Sequence, residues 1–217
     1  LGRSVAKRVM VGIRISLLIA VVATLIDLLI GVTYGLISGF IGGRTDTIMQ
    51  RIIEVISSIP NLVIVTMLGL LLGNGVTAII ISIAIVGWTA MARQVRNMTL
   101  SYKERDFVLA SRALGESNLR IAFKHILPNI SGIIIVQIMM TVPSAIMYEA
   151  VLSAINLGVK PPTASLGSLI TDAQEYLQYY PYQLIIPALA LVFISLAFIL
   201  LGDGLRDAFD PKSNADE

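Results

Sequence analysis

Residues 102–128 read YKERDFVLASRALGESNLRIAFKHILP, from Tyr102 to Pro128, and form the one long charged stretch inside an otherwise apolar sequence. Long apolar runs flank it on both sides, so the stretch reads as a loop with a short helix, held at one face of a membrane between two spans. Its centre, Asp106 to Leu114, places Phe107, Ala110, Ser111 and Leu114 on one helical face. Gly115 suits the position just past a helix end, and Ser117 or Asn118 can cap the helix that follows.

The composition sets the class. Of 217 residues, 56% are hydrophobic and 14% charged, against roughly a quarter charged in a soluble domain. Mean hydropathy is +0.83. A single water-soluble core cannot bury this much apolar surface, which makes the chain an all-α, polytopic membrane protein embedded in a lipid bilayer. No cysteine is present, which excludes disulfides and thiolate metal sites. The net charge of +2 is too small for a nucleic-acid footprint. No P-loop pattern, no nucleophile–His–acid set and no metal-ligand cluster occurs, so neither ATP binding by a P-loop, nor catalysis, nor a metal site is expected of this chain.

Working outward, five spans are expected, at about 11–41, 44–72, 76–99, 120–152 and 182–201. The segment 102–118 forms a cytoplasmic loop and 153–181 an external one. In the first span Ala23, Asp27, Gly31, Gly35 and Gly39 recur every four residues, a small-residue stripe that lets another helix approach closely. Gly42-Gly43 ends that helix. Asp27 is a charge in mid-span, which costs about 2.5–3.5 kcal/mol on insertion scales, so it should face protein or water. Two roles are open to it: packing at the helix interface with a polar partner, or lining a path. Pro60 should kink or break the second span, and Gly73-Asn74-Gly75 is a tight turn before the third. Arg93, Arg96, Lys103, Arg105, Arg112, Arg120 and Lys124 put the central loop in the cytoplasm by the positive-inside rule. The C-terminus is then cytoplasmic and the N-terminus outside, against the pull of Arg3, Lys7, Arg8 and Arg14. His125 reads as a loop or interface residue. Tyr176, Tyr179, Tyr180 and Tyr182 read as an interfacial aromatic belt.

The central stretch resembles the coupling loop of bacterial ABC importer permeases. That motif opens with Glu-Ala-Ala, has a Gly four residues after the second Ala, and closes with Ile-x-Leu-Pro. Leu109, Ala110 and Ser111 stand at the opening here, Gly115 at the glycine, His125 at the Ile, and Leu127-Pro128 at the close. The stretch YEAVLSAINLGVKPPTASLG, Tyr148 to Gly167, is similar to the external loop of the peptide-importer members, with Ala154, Asn156 and Leu166 where they carry Phe, Gly and Trp. The opening LGRSVAKRVMVGIRISL and the ending LGDGLRDAFDPK resemble theirs as well, so the likeness runs along nearly the whole chain.

The resemblance implies a type I ABC importer permease fold in which the family's first span is absent. It implies the second permease subunit of an oligopeptide or dipeptide importer in the bacterial cytoplasmic membrane. The expected partners are a homologous sister permease, two cytoplasmic ABC ATPases and an extracellular or periplasmic substrate-binding protein. ATP and Mg would sit on the ATPases, with no cofactor on this chain. Asp106, Phe107, Ala110, Ser111, Leu114, Gly115, Leu127 and Pro128 become candidates for ATPase coupling. Asp27, Gly31, Gly35 and Gly39 are candidates for helix packing. Glu149, Lys160, Pro161, Pro162 and Gly167 are candidates for an external gate, because Lys160-Pro161-Pro162 is stiff and follows directly on a span. Two alternatives stay open: a nickel-type importer permease of the same family, and a secondary transporter without ATP. The second would need paired intramembrane ionisable residues and internal repeats.

Overall fold

The small-residue stripe decides how the helices assemble. The computed structural model describes residues 4–73 and 75–209; Arg3, Asn74 of the expected turn, and Asp210-Pro211-Lys212 of the C-terminal motif lie outside the described residues. Helix α1 runs over Val5–Ile41 and α4 over Val76–Tyr102. Gly31 packs on Met91 and Trp88, Gly35 on Ala92 and Val95, and Gly39 on Thr99 and Arg96. The contacts advance together along both helices, so α1 and α4 are parallel. The approach is close: a Cβ at Gly35 would lie 2.5 Å from the Ala92 carbonyl oxygen, and one at Gly39 would lie 2.8 Å from Thr99 Cβ. Only glycine allows this separation.

Two shorter helices return the chain from the end of α1 to the start of α4. These are α2, Gly43–Ser57, and α3, Asn61–Leu72. They are bent by 77° at the break that holds Pro60. The expected kink is thus a sharp corner, and the second span is not one straight helix. α2 is tied down at its start. Asp46 accepts a bidentate pair from Arg96, Nε to Oδ1 at 2.6 Å and a terminal guanidinium nitrogen to Oδ2 at 2.5 Å. Ser38 donates to the same carboxylate at 2.5 Å, and Gln50 donates to Ser38 at 3.0 Å. Both partners of the ion pair are largely shielded, so the pair is stronger than a surface one.

After α4 come α5, Asp106–Ala113, the single turn α6, Asn118–Ile121, and a π-turn over Ala122–Ile126 that runs into α7, Leu127–Ala154. The π-turn has a local cause. Pro128 has no N–H to give to the preceding turn, and the helix widens just before it. Asn129 donates its side-chain amide to the His125 carbonyl at 2.7 Å, satisfying an oxygen there. Helix α8 is Leu166–Gln174 and α9 is Tyr182–Phe209. Gly132 near the start of α7 meets Phe209 at the end of α9, and Gly202 meets Met139 and Met140, so α7 and α9 are antiparallel.

Among the described residues, four helices are long and apolar enough to cross a membrane, or five with the bent α2–α3 pair as one span. Two larger apolar clusters fill the interior. One, with Ile19, Ile79, Ile83, Ile146 and Leu152, lies toward α8. The other, with Leu36, Phe40, Val95, Val108, Ile121 and Ile126, lies toward α5. Among the described residues a small third cluster of Val9, Ala164, Leu166 and Leu169 joins the start of α1 to α8. Most of α9 faces outward, as expected of a helix against lipid.

A bulky residue in the stripe should push α1 and α4 apart. Gly35→Leu is expected to lower thermal stability in detergent strongly, since overpacking a filled interior costs about 1–3 kcal/mol and here meets backbone. Leu29→Val, at a side chain 69% exposed, is the matched control and should leave the melting point within experimental scatter. Fluorescence-detected size-exclusion melting of both variants checks this.

Candidate functional site

At the end of the molecule where α1 and α4 finish, α5 lies across the helix ends with two different faces. Val108 is fully buried in the second apolar cluster, and Arg112, one turn on, sets its guanidinium 5.5 Å from the Phe40 ring centre. This face is the anchor, held by burial and a cation–π contact. The other face is bare. Leu114 is 85% exposed, and Phe107, Leu109 and Ala110 are exposed beside it. Ser111 lies at the margin, half-buried, its hydroxyl given to the Phe107 carbonyl. Asp106 opens the helix, where a carboxylate favours the N-terminal dipole.

Gly115 has a structural task. Its φ of +81° is the left-handed conformation that ends a helix. Its N–H bonds the Arg112 carbonyl, and the Glu116 N–H bonds the Ser111 carbonyl. This is the Schellman arrangement, in which glycine lets the chain turn away abruptly. Ser117 then occupies the cap position of α6 without a side-chain cap bond. Leu127 and Pro128 are not on the bare face of α5. They begin α7, with Leu127 packed against the second apolar cluster and Pro128 exposed behind the π-turn. His125 lies 2.7 Å from Glu116, which Arg120 also approaches at 3.6 Å. These contacts tie the segment after α5 to the foot of α7.

The opposite end holds the second group of expected residues. Glu149 is fully buried beneath the 155–165 loop rather than on the rim. Its Oε1 accepts from Ser153 at 2.8 Å and from Ser165 at 2.6 Å, and its Oε2 accepts from Ser16 at 2.9 Å. Ser16 in turn accepts the Leu166 N–H at 3.0 Å. Ser165 caps α8 through a reciprocal pair with Ser168. Gly167 must be small, because a Cβ there would lie 2.6 Å from the Ala150 Cα. Asn156 takes a φ of +62° at the start of the loop, while Leu157, Gly158 and Val159 are buried. Lys160, Pro161 and Pro162 form its exposed tip. The tip, the start of α1 and the exposed Tyr176 and Tyr180 border an open groove of about 1190 Å³. Arg8 of α1 reaches Asp172 of α8 at 3.0 Å on the same side.

Asp27 sits in the α1–α4 seam against Gly87, where an added Cβ would lie 2.0 Å from its Oδ2. It is 1% exposed, and neither carboxyl oxygen has a hydrogen-bond partner among the described residues; the same holds for Thr24 and Ser82. The stripe residues Gly31, Gly35 and Gly39 continue the seam from it. A group of three or more side chains able to hold a metal ion does not occur among the described residues.

Several contributors escaped the sequence reading: Ser16, Ser153 and Ser165 around Glu149, Val108 and Arg112 under α5, and the Asp46–Arg96 pair. The one visible signal was each hydroxyl or charge within an apolar run, which needs a partner but does not name it.

Comparison with known proteins decides the family. Residues 31–214 match the family described as binding-protein-dependent transport system inner membrane component. The chain belongs to that family. It is 68% identical over 215 residues to the dipeptide transport system permease protein DppC of Lactococcus lactis subsp. cremoris, covering 99% of this chain and 63% of that protein. The chain thus spans under two thirds of that relative's length. It is 48% identical to the oligopeptide transport system permease protein OppC of Bacillus subtilis, covering 98% of this chain and 70% of that one. It is 43% identical to OppC of Escherichia coli, covering 97% and 70%. A chain of the inward-facing MetNI methionine ABC transporter superimposes with a TM-score of 0.80 at 19% identity, over 97% of this chain and 100% of that one. The expected fold, a helical importer permease, is therefore the fold observed.

For this inner membrane component the two faces of α5 should behave oppositely. Val108→Asp places an unpaired carboxyl in a filled apolar site and should lower thermal stability by several degrees or abolish the folded peak. Leu114→Asp on the bare face should leave the melting point unchanged. The same size-exclusion assay distinguishes them, and equal behaviour would contradict the assignment of faces.

Proposed function

We propose that this chain is a membrane permease subunit of an ATP-driven importer for dipeptides or short oligopeptides. The observation that carries the reading is the bare apolar face of α5, Phe107, Leu109 and Leu114, on a helix anchored from behind by Val108. A short helix held rigidly at a membrane face, with large apolar side chains uncovered, is built to dock on a protein surface. Peptide as the substrate is supported by the dipeptide and oligopeptide transport roles of the relatives at 68%, 48% and 43% identity. The nickel-type and secondary-transporter alternatives have no comparable support.

In this reading α5 faces the cytoplasm and seats in a groove of an ABC ATPase, and the end of α9 lies on the same side. A homologous permease completes the translocation path. A second ATPase serves that sister subunit, and a substrate-binding protein meets the opposite end, near the 155–165 loop. ATP and Mg bind to the ATPases. The chain itself is non-catalytic: its work is to hold a path and to change its shape when the docked ATPases close.

Phe107→Asp combined with Leu114→Asp should remove the ATPase from the complex. Both side chains are uncovered in the isolated chain, so the loss should come from docking and not from misfolding. Affinity purification of the permease pair from detergent, followed by quantification of the co-eluting ATPase, checks this. Transport of a labelled dipeptide should fall in parallel, to about a tenth or less if roughly 1.4 kcal/mol of docking energy is lost. Full co-elution with full transport would refute the docking face.

A further inference from the structure

Four segments of the chain converge on one carboxyl group at the α8 end. Ser16 belongs to α1, Glu149 and Ser153 to α7, Ser165 to the loop that α7 feeds, and Leu166 to the first turn of α8. Glu149 and Ser165 are each completely buried, as is Ser16, and Ser153 is 4% exposed. All three donors are hydroxyls and none carries a positive charge, so no salt bridge competes for the carboxyl. The N-terminus of α8 adds its backbone dipole to the same point: the Leu166 N–H reaches Ser16, and the Ser168 N–H reaches Ser165. The bonds have a consequence for shape. Ser16 receives an N–H from α8 while giving its proton to α7, so it joins three elements through one oxygen. Two close backbone contacts reinforce the joint: Gly12 of α1 against Leu166 and Ser165, and Gly167 against Ala150 of α7.

We propose that Glu149 is a positioning residue that locks the 155–165 loop and α8 to α1 and α7, so that this end of the permease moves as one rigid piece during transport. The loop tip at Lys160, Pro161 and Pro162 and the start of α8 then cannot swing as an independent flap. Their position over the outer groove follows the tilt of α1 and α7. Closure and opening of the outer mouth become a rigid-body motion set by the spans, with the loop as a fixed lip. A flap would carry its polar contacts on an exposed hinge. Here the polar contacts are buried at the root, and the tip of the loop, Lys160, Pro161 and Pro162, is exposed.

This inference rests on the importer reading, and its test separates the two. The native chain has no cysteine, so spin labels can be placed at Met10→Cys on α1 and Glu175→Cys at the end of α8, both on exposed side chains, with cysteine-free partner chains. The full complex is reconstituted in lipid nanodiscs. Double electron–electron resonance then reads the distance between the labels, and proteoliposomes read peptide taken up per ATP hydrolysed. With Glu149 intact, the distance distribution should be single and narrow, at the same value in the resting and nucleotide-trapped states. Glu149→Gln keeps the shape but turns one acceptor into a donor facing Ser16. It should broaden the distribution and lower peptide per ATP about tenfold, the equivalent of one hydrogen bond to a buried carboxyl. Ser16→Ala removes the donor that reaches Glu149 from α1 and should give an intermediate broadening, which keeps the idea testable if Glu149→Gln assembles poorly. A narrow distribution and an unchanged uptake ratio in both variants overturn the proposal, even where the yield of complex falls. So does a label distance that changes on nucleotide trapping with Glu149 intact. Broadening in a complex that moves no peptide leaves the lock standing and overturns the importer reading instead.

Discussion

The close parallel packing of α1 on α4 is the constraint on which the other features depend. Two helices that run the same way must be joined by a segment that returns across the molecule, and α2 and α3 are that segment. Backbones in contact at Gly31, Gly35 and Gly39 leave little room for side-chain adjustment, so the register between the two helices is fixed along several turns. That register brings Arg96 beside Asp46 and Ser38, and the polar start of α2 is held there. It also brings Phe40 and Val95 together as the seat for Val108. In lipid there is no hydrophobic force between spans, so contact of this quality must come from close van der Waals packing and from polar bonds.

Polar groups inside such a chain are few, and their distribution carries information. The Glu149 carboxyl accepts a bond from each of three hydroxyls, the Asp46 carboxyl is paired with a guanidinium, and both join elements far apart in sequence. Asp27 differs. It fills the space left by Gly87 and has neither hydroxyl nor cation on its oxygens among the described residues. A polar partner was the expectation for it, and the seam offers backbone and small side chains instead. It is buried at the contact of α1 with α4.

Much of the architecture was legible because it is written in local patterns. Runs of apolar residues mark spans regardless of what they touch. The four-residue spacing of glycines marks a helix contact, although it does not say that the partner is α4. Pro60 marks a break, while its angle of 77° depends on where α3 must go. Helical spacing placed Phe107, Ala110 and Leu114 on one face of α5, but not whether that face is covered. Nor did it find the anchored face, because Val108 is one apolar residue among several and only the tertiary packing selects it. Glu149 was legible as unusual but not as buried: a glutamate near the end of a span reads equally well as one reaching water. Its three serine partners are separated from it by 133, 4 and 16 positions, and only the short separation could be found by helical periodicity. The same limit hid Asp46–Arg96, whose partners lie 50 positions apart.

Helix α7 links the two ends. Its foot follows the π-turn, where His125 meets Glu116 just beyond α5, and its upper part carries Glu149. From Leu127 to Glu149 a helix rises about 33 Å at roughly 1.5 Å per residue, close to the apolar thickness of a bilayer. Pro143 lies within this stretch, yet the helix continues through it unbroken. In the proposed importer, a body docked on α5 would push on a foot that is joined to the outer end by one continuous helix. Near that end the helix is bonded to α1 and α8 through a buried carboxyl, not ended in a free loop. Under the proposed lock, a tilt imposed below would appear above as displacement of the lip, because compact, hydrogen-bonded interiors rearrange as pieces and do not bend continuously. The widened turn before Pro128 is the irregular place in this rod, and it lies between α5 and the long body of α7.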